Sequence, residues 1–416
     1  MATSNNSLDF RDPGMMSDEL LSVPGFINEL KNYTIAVSPR PNPPLAFAGA
    51  LAMLAHLSGR SYIDERGTHT NLYLAALAPT AMGKDEPRTT NKYLALAAGI
   101  MESVPDTIAS GEGLEDAVEM TPNLLLQTDE ADSLLTAMRG GDSRASKMNE
   151  MVLRFFSETK SGHAMRLKAG EKERRIIPMP HLTLFATGIP KFVYSALSAK
   201  ALENGLLGRC LFIETDEFRP LGIPEKRDLP SACVEAAKFF VTREKAFSET
   251  ANPILTPVPE TPEAKIKIAE LRVGSDEIAR RLFDSELKTG AALYCRLYEK
   301  AMKLALLYAI SENPANPVIS AEGVYWAARF ATHITQKMLF EAQFNVSEGA
   351  FDRLKQRFLN ILVKHGGKLD HSTLLKSLRI EASLFKRIVL TLLMCDQIES
   401  EELINGKRGY IIKNAA

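Results

Sequence analysis

The chain has 416 residues, with 50 Lys and Arg set against 51 Asp and Glu. That length exceeds what one core usually serves and predicts two or three domains. The near balance of charge excludes a global field that recruits nucleic acid or membrane, so any such role must rest on local patches.

Four cysteines, Cys210, Cys233, Cys295 and Cys395, lie far apart with no C-x-x-C pair. They suit reduced thiols in a cytosol better than a disulfide frame or a zinc site. The opening MATSNNSLDFRDPGMM has no basic segment followed by an apolar run, so no signal peptide is expected and the expected location is cytoplasmic. From about Ser17 to Tyr62 the pattern is helical, passing through the proline-rich link SPRPNPP into LAFAGALAMLAHL, Leu45 to Leu57. That run is too short to span a bilayer, where about 20 apolar residues are needed. It reads as a buried helix, and no membrane role is expected.

Between Asn71 and Phe218 short apolar runs alternate with helical stretches. NLYLAALA, NLLLQTDE, HLTLFATG and CLFIET each sit beside turn residues, as buried parallel strands do. The link NPILTPVPETPEAK closes this α/β region, and helices are expected from about Glu263 to about Ala342. The remainder reads as three helices, Glu348 to His365, His371 to Leu378 and Ala382 to Cys395, followed by two extended runs around Asn405-Gly406, a strong hairpin signal. Three helices and a β-hairpin predict a winged helix. From Gly349 onward twelve basic residues face seven acidic ones, so this end is locally basic. The expected boundaries are 1–66 for a helical preface, 67–224 for an α/β core, 225–345 for a helical lid and 346–416 for the winged helix.

The chemistry centres on LAALAPTAMGKDEPRTT, Leu74 to Thr90. An apolar strand breaks into a small-residue loop ending in Gly83-Lys84, the layout in which backbone N–H groups surround phosphate oxygens and a lysine reaches the terminal phosphates. Asp85 stands where the pattern asks for Ser or Thr, and Ala78 where it asks for Gly. A Gly-Lys pair in an ordinary strand-to-helix turn would look the same, so the loop needs a partner. LLLQTDEAD supplies one: Asp129 and Glu130 end a buried strand, where one carboxylate can hold Mg2+ and the other orient an attacking water. Thr187 ends the HLTLFATG strand, and Arg209 immediately precedes CLFIET. Each alone would be an ordinary strand-end or surface residue.

Taken in order, GK, LLLQTDE, LTLFATG, GLLGRCLFIE and CRLYEKAMKLALLYA resemble the AAA+ P-loop ATPase domains of phage, plasmid and genomic-island replication proteins. This is the primase-associated helicase family, itself similar to the minichromosome-maintenance helicases. The resemblance covers roughly Pro24 to Ala342. It implies ATP and Mg2+ as ligands, Gly83 and Lys84 in Walker A, Asp129 and Glu130 in Walker B, and Thr187 at sensor 1. It further implies Arg209 as an arginine finger acting on a neighbouring subunit, and Arg296, in an R-x-x-E pattern with Glu299, as the sensor 2 arginine of the lid. Some members resemble GKDEPR in pairing an acidic residue with a downstream arginine, so Arg88 is expected to offset Asp85, whose carboxylate could also ligate Mg2+.

Two basic surfaces carry the expectation of DNA binding. Arg144 to Arg175 has nine basic and four acidic residues, and AMRLKAGEKERRIIP resembles a DNA-gripping hairpin with Lys168 and Lys172 near its tip. In the winged helix Lys386 and Arg387, with Lys407 and Arg408 on the wing, are placed to meet phosphates. A solvated hairpin and a protein-docking module are the corresponding alternatives. The expectation is an oligomeric, ring-forming, hexameric ATPase acting on DNA in the replication of a mobile element. The first 65 residues are too few for a primase domain, so any primase would be a separate chain. A non-hydrolysing AAA+-fold replication adaptor or helicase loader is the alternative, and Asp85 is its best support.

Overall fold

The computed structural model describes residues 12–129, 131–139, 143–168, 170, 172–196, 205–248, 255–285, 287–345, 350–395, 397–402 and 408–413. The chain divides into two compact units, Pro13–Thr335 and, together with Asp12, the residues from Gln336 onward.

The first unit opens with α1 (Phe26–Val37) and α2 (Pro43–Leu57). Asn42 caps α2 by accepting the Leu45 N–H, and the prolines at its start lie in the first turn, where N–H groups have no intrahelical partner. Every residue of α2 from Pro44 to Leu57 is buried, which is the condition of a helix enclosed on all sides. β1 (Tyr62–Asp64) and β2 (Tyr73–Leu77) follow, then α3 (Glu86–Ala98), α4 (Gly111–Met120) and β3 (Asn123–Thr128). α5 (Ala131–Arg139) and α6 (Ser143–Glu158) lead to the two-residue strands β4 (His163–Ala164) and β5 (Ile176–Ile177). β6 (His181–Gly188), α7 (Pro190–Ala196), the single turn α8 (Leu206–Arg209) and β7 (Cys210–Glu214) complete the core.

β2, β3, β6 and β7 form one parallel sheet in the spatial order β3-β6-β2-β7. β2 and β6 are buried at every position, as strands covered on both faces must be. α2 packs on all four strands. α4 and α6 cover the face that carries Tyr73, Leu124, Leu126, Leu182 and Leu184, adding Leu114, Val118, Val152, Phe155 and Phe156 to the same core. The register sets Leu77 opposite Gly188 and Glu214, and Thr128 opposite Ala186. The strands therefore end together, and the loops that follow them share one edge.

α9 (Ser231–Ser248) lies ahead of the proline-rich link, within the 225–345 segment expected to be helical but before the helices expected from about Glu263, and packs against α1, α2 and α3. The link itself contributes β8 (Thr256–Val258), which pairs in parallel with β1. α10 (Pro262–Asp284), α11 (Lys288–Tyr294), α12 (Leu297–Glu312) and α13 (Ala321–Asn345) follow. α12 is buried almost throughout, Lys300 and Lys303 included, and packs on α1, α2 and β1.

The second unit holds α14 (Ala350–Lys364), β9 (Lys368–Asp370), α15 (His371–Leu378), α16 (Ala382–Met394), β10 (Ile398–Glu402) and β11 (Arg408–Ile412). Its strands pair antiparallel in the order β10-β11-β9, over a core that includes Phe358, Leu374, Phe385, Ile388 and Tyr410. Asn405, Gly406 and Lys407 lie outside the described residues. Among the described residues no helix is long and apolar enough to cross a membrane.

Leu51, at the centre of α2, is fully buried. Leu51→Ala should lower unfolding free energy by about 2–5 kcal/mol, measurable by urea denaturation, and a loss under about 1 kcal/mol would contradict the enclosed position of α2.

Candidate nucleotide site

The loop from β2 to α3 begins with the Ala78 N–H donating to Gly188 O, 3.0 Å, which ties it to the end of β6. Ala81 and Gly83 both have left-handed backbone, φ 64° and 78°. For alanine that conformation stores of order 1–2 kcal/mol. At Gly83 a side chain is impossible for a second reason, since a Cβ would lie 2.3 Å from the carbonyl oxygen of Arg40. The Asn42 amide donates to Met82 O, 3.1 Å, so the proline-rich link braces the loop from outside. Among the described residues the backbone N–H groups of Gly83, Lys84 and Asp85 donate to no protein acceptor. They precede the first turn of α3, where the helix dipole favours an anion.

Lys84 is half-buried, and burial lowers its pKa from the ordinary lysine value against the opposing pull of Asp129, Asp85 and Asp132. Asp85 is αR, immediately ahead of α3, which starts at Glu86 rather than at Lys84. Its carboxylate accepts from Arg88 Nη2 at 2.6 Å, and the same nitrogen lies 3.2 Å from Asp129 Oδ2. Arg88 therefore stands between two carboxylates and offsets both. Thr187 is fully buried at the end of β6 and donates to Asp129 Oδ1, 2.7 Å. The loop, Asp129 and Thr187 thus meet because β6 lies between β2 and β3. Glu130 lies outside the described residues.

Residues that the motif reading passed over hold this site together. Asn91 on α3 donates to Gly49 O at 3.1 Å and to Gln127 Oε1 at 2.9 Å, and Gln127 donates to Arg88 O at 3.2 Å. This ladder locks α3 to β3 two residues before Asp129. Its signal in the sequence was a glutamine inside an otherwise apolar strand, which must find partners when buried. Two carboxylates, Asp85 and Asp129, converge on one cationic position. Hard oxygen donors in that number fit Mg2+, which retains several of its waters.

Arg209 and Arg296 are brought together, but at the other end of the sheet. Arg209 directly precedes Cys210, which is paired with Tyr73 at the start of β2, whereas the lysine loop leaves after Leu77. The two ends are on the order of 13 Å apart along the strand, at about 3.3 Å per residue. Arg296 starts α12, bonds Glu299 at 2.6 Å and lies beside Gly208. Neither arginine belongs to the lysine loop of its own chain.

The expected hairpin is ordered differently from its sequence reading. Among the described residues its ladder holds His163↔Ile177 and Ala164↔Ile176, with one further bond from the Met165 N–H to Arg175 O, 3.0 Å. Beyond it, the basic side chains turn onto an acidic face of α4. Arg166 pairs with Glu115 and with Asp116 at 2.7 Å, Lys168 with Asp116 at 2.9 Å, and Arg175 with Glu119. His163 lies between Glu158 and Glu115, at 2.5 and 2.8 Å. A charge count confined to residues 144–175 missed these carboxylates, which belong to a helix some 50 residues earlier. Lys172 and Arg174 are exposed and have no ion pair among the described residues. Lys386 and Arg387 are exposed on α16 beside the exposed apolar Leu390 and Met394, and Arg408 is exposed at the start of β11. Lys407 lies outside the described residues.

No family model and no curated protein matches the chain. Among solved structures, the crystal structure of the FIGL-1 AAA domain is similar at 14% identity over 62% of this chain and 70% of that chain, with a TM-score of 0.18. A likeness of that size carries no argument, and the site rests on its own geometry.

Removing Arg88 tests the shared metal position. Arg88→Ala leaves Asp85 and Asp129 without their common counter-ion, so Mn2+ binding in the absence of nucleotide should tighten severalfold by calorimetry or spin resonance. Unchanged Mn2+ affinity would separate the two carboxylates from any common ion.

Proposed function

We propose that the protein is an AAA+ type ATPase that binds ATP with Mg2+ at the end of the parallel sheet and acts on DNA as a ring of identical subunits. The observation that carries the reading is the convergence of Lys84, the unengaged N–H groups of Gly83 to Asp85, Asp129 and Thr187 at one edge. In this reading the N–H groups and Lys84 hold the phosphates, while Asp85 and Asp129 hold the metal, which supplies charge neutralisation on the phosphates when bound. Thr187 fixes the Asp129 carboxylate, and Glu130 orients the attacking water. Arg209 lies at the opposite end of the sheet from its own loop, which supports its acting on the nucleotide of a neighbour, and Arg296 beside it is read as the sensor 2 arginine of the lid.

The second unit reads as a winged helix that contacts phosphates through Lys386, Arg387, Lys407 and Arg408. The helices from α9 to α13 would take the place of the lid. On the hairpin, the pairing of Lys168 with α4 shifts the expected DNA contact toward Lys172 and Arg174. Replication of a phage, satellite or plasmid is the role that the sequence resemblance favours, with a primase or other replication protein as partner. One observation favours the non-hydrolysing adaptor: Arg88 already provides the positive charge between Asp85 and Asp129 that a metal would bring.

ATP turnover with and without single-stranded DNA separates the two. The parent should hydrolyse ATP and accelerate with DNA, and Glu130→Gln should keep nucleotide binding while turnover falls by about 10²–10⁴-fold. Nucleotide binding without turnover in the parent would establish the adaptor. Lys172→Ala with Arg174→Ala should remove the DNA stimulation and flatten its salt dependence, whereas Lys168→Ala alone should change both much less.

A further inference from the structure

The geometry points to Phe156 as a positioning residue for Arg209: its ring holds the guanidinium in place without neutralising it, so the charge remains available to a phosphate carried by a neighbouring copy of this chain. The inference rests on the trans role given to Arg209 above and concerns how that role is built.

Arg209 has unusual company for a half-buried arginine. Its Cζ lies 5.5 Å from the centroid of the Phe156 ring, and its Nη1 donates to Gly205 O at 2.9 Å. Both partners are uncharged. Its Nε–H is buried with no acceptor among the described residues, and no carboxylate there pairs with it. Arg296 beside it is tied to Glu299 instead. A carboxylate would hold Arg209 more firmly but would cancel its charge, whereas a π face attracts the cation and leaves its net charge unchanged. Burial, and then Arg296, lower the Arg209 pKa, while the Glu299 carboxylate, bonded to Arg296 and not to Arg209, opposes them through space.

The ring is itself fixed. Phe156 is almost wholly buried, meets the Tyr73 ring edge-on at 5.0 Å, and its carbonyl accepts from the Asn71 amide at 3.1 Å. Tyr73 in turn donates to Val152 O, 2.6 Å, one turn earlier on α6. Lys303 Nζ lies 4.8 Å from the same ring centroid and is held by His69 O and Asn71 Oδ1. Glycine makes the room: a Cβ on Gly205, whose φ is 78°, would come within 2.8 Å of Arg209 Nη1.

The test uses the full chain and ATP turnover in the presence of single-stranded DNA. Phe156→Leu keeps an apolar side chain and removes the ring face, so kcat should fall at least tenfold while nucleotide affinity stays within about twofold, the pattern of a lost transition-state contact. Phe156→Tyr keeps the ring face and should retain most of the turnover. In an Arg209→Lys background the Leu substitution should add little, because the two changes strike the same contact. If Phe156→Leu does not fold, Gly205→Ala displaces the guanidinium from its other side and should show the same split between kcat and affinity. Parental kcat in the Leu variant, or equal losses in Leu and Tyr variants that track their melting temperatures, would overturn the positioning role and leave the ATPase reading intact. A parent without turnover would remove the ATPase reading and the role of Phe156 with it.

Discussion

A parallel sheet buried on both faces can present chemistry only at its two ends, and this constraint organises the first unit. The strands carry unbroken apolar runs, so α2 must lie across one face and α4 with α6 across the other. Polar side chains then collect where the strands stop. At the ends of β2, β3 and β6 lie the lysine loop, Asp129 and Thr187, in the crevice where open α/β sheets usually bind ligands. Where β2 and β7 begin lie Arg209 and Arg296. In the proposed reading these two ends are halves of one site, and a head-to-tail arrangement of copies would join them.

Several charged groups of the unit carry an internal counter-ion, and magnitudes decide how firmly. The Asp85 side chain is 85% exposed, so its pair with Arg88 contributes only about 0–1 kcal/mol and is readily exchanged for another cation. On α4 the Glu115 side chain is 4% exposed and engages Arg166 and His163 together, so this part of the network resists displacement. Lys303 is fully enclosed and its pKa falls to about 8 through burial, yet it keeps two oxygen acceptors. Arg209, like Lys303, is held by neutral partners alone among the described residues.

Much of the site was legible in the sequence because its parts are local. Gly83-Lys84 follows an apolar strand, Asp129 ends another, and Thr187 a third, so each could be recognised from its own neighbourhood. What joins them is not local. Strand order brings Thr187 to Asp129 across 58 residues, and the brace of Arg40 and Asn42 on the loop comes from a link that reads only as proline-rich. The acidic face of α4, with Glu112, Glu115, Asp116 and Glu119 at helical spacing, reads as an ordinary solvated stripe until the hairpin is seen against it. Charge counted along the chain therefore overstated the basic surface available near Lys168. The helix α9 was covered only by the broad helical segment 225–345 and not delimited, because its apolar residues show little periodic contrast before a proline-rich stretch.

The central claim is that the two ends of the sheet complete one another between copies of the chain. Mixing Arg209→Ala protein with Glu130→Gln protein, each expected to be inactive alone, tests it most directly through ATP turnover. Mixed assemblies contain interfaces that pair an intact Glu130 with an intact Arg209, so the account predicts partial recovery that rises toward equal mixing. No recovery while the two proteins demonstrably co-assemble would contradict it.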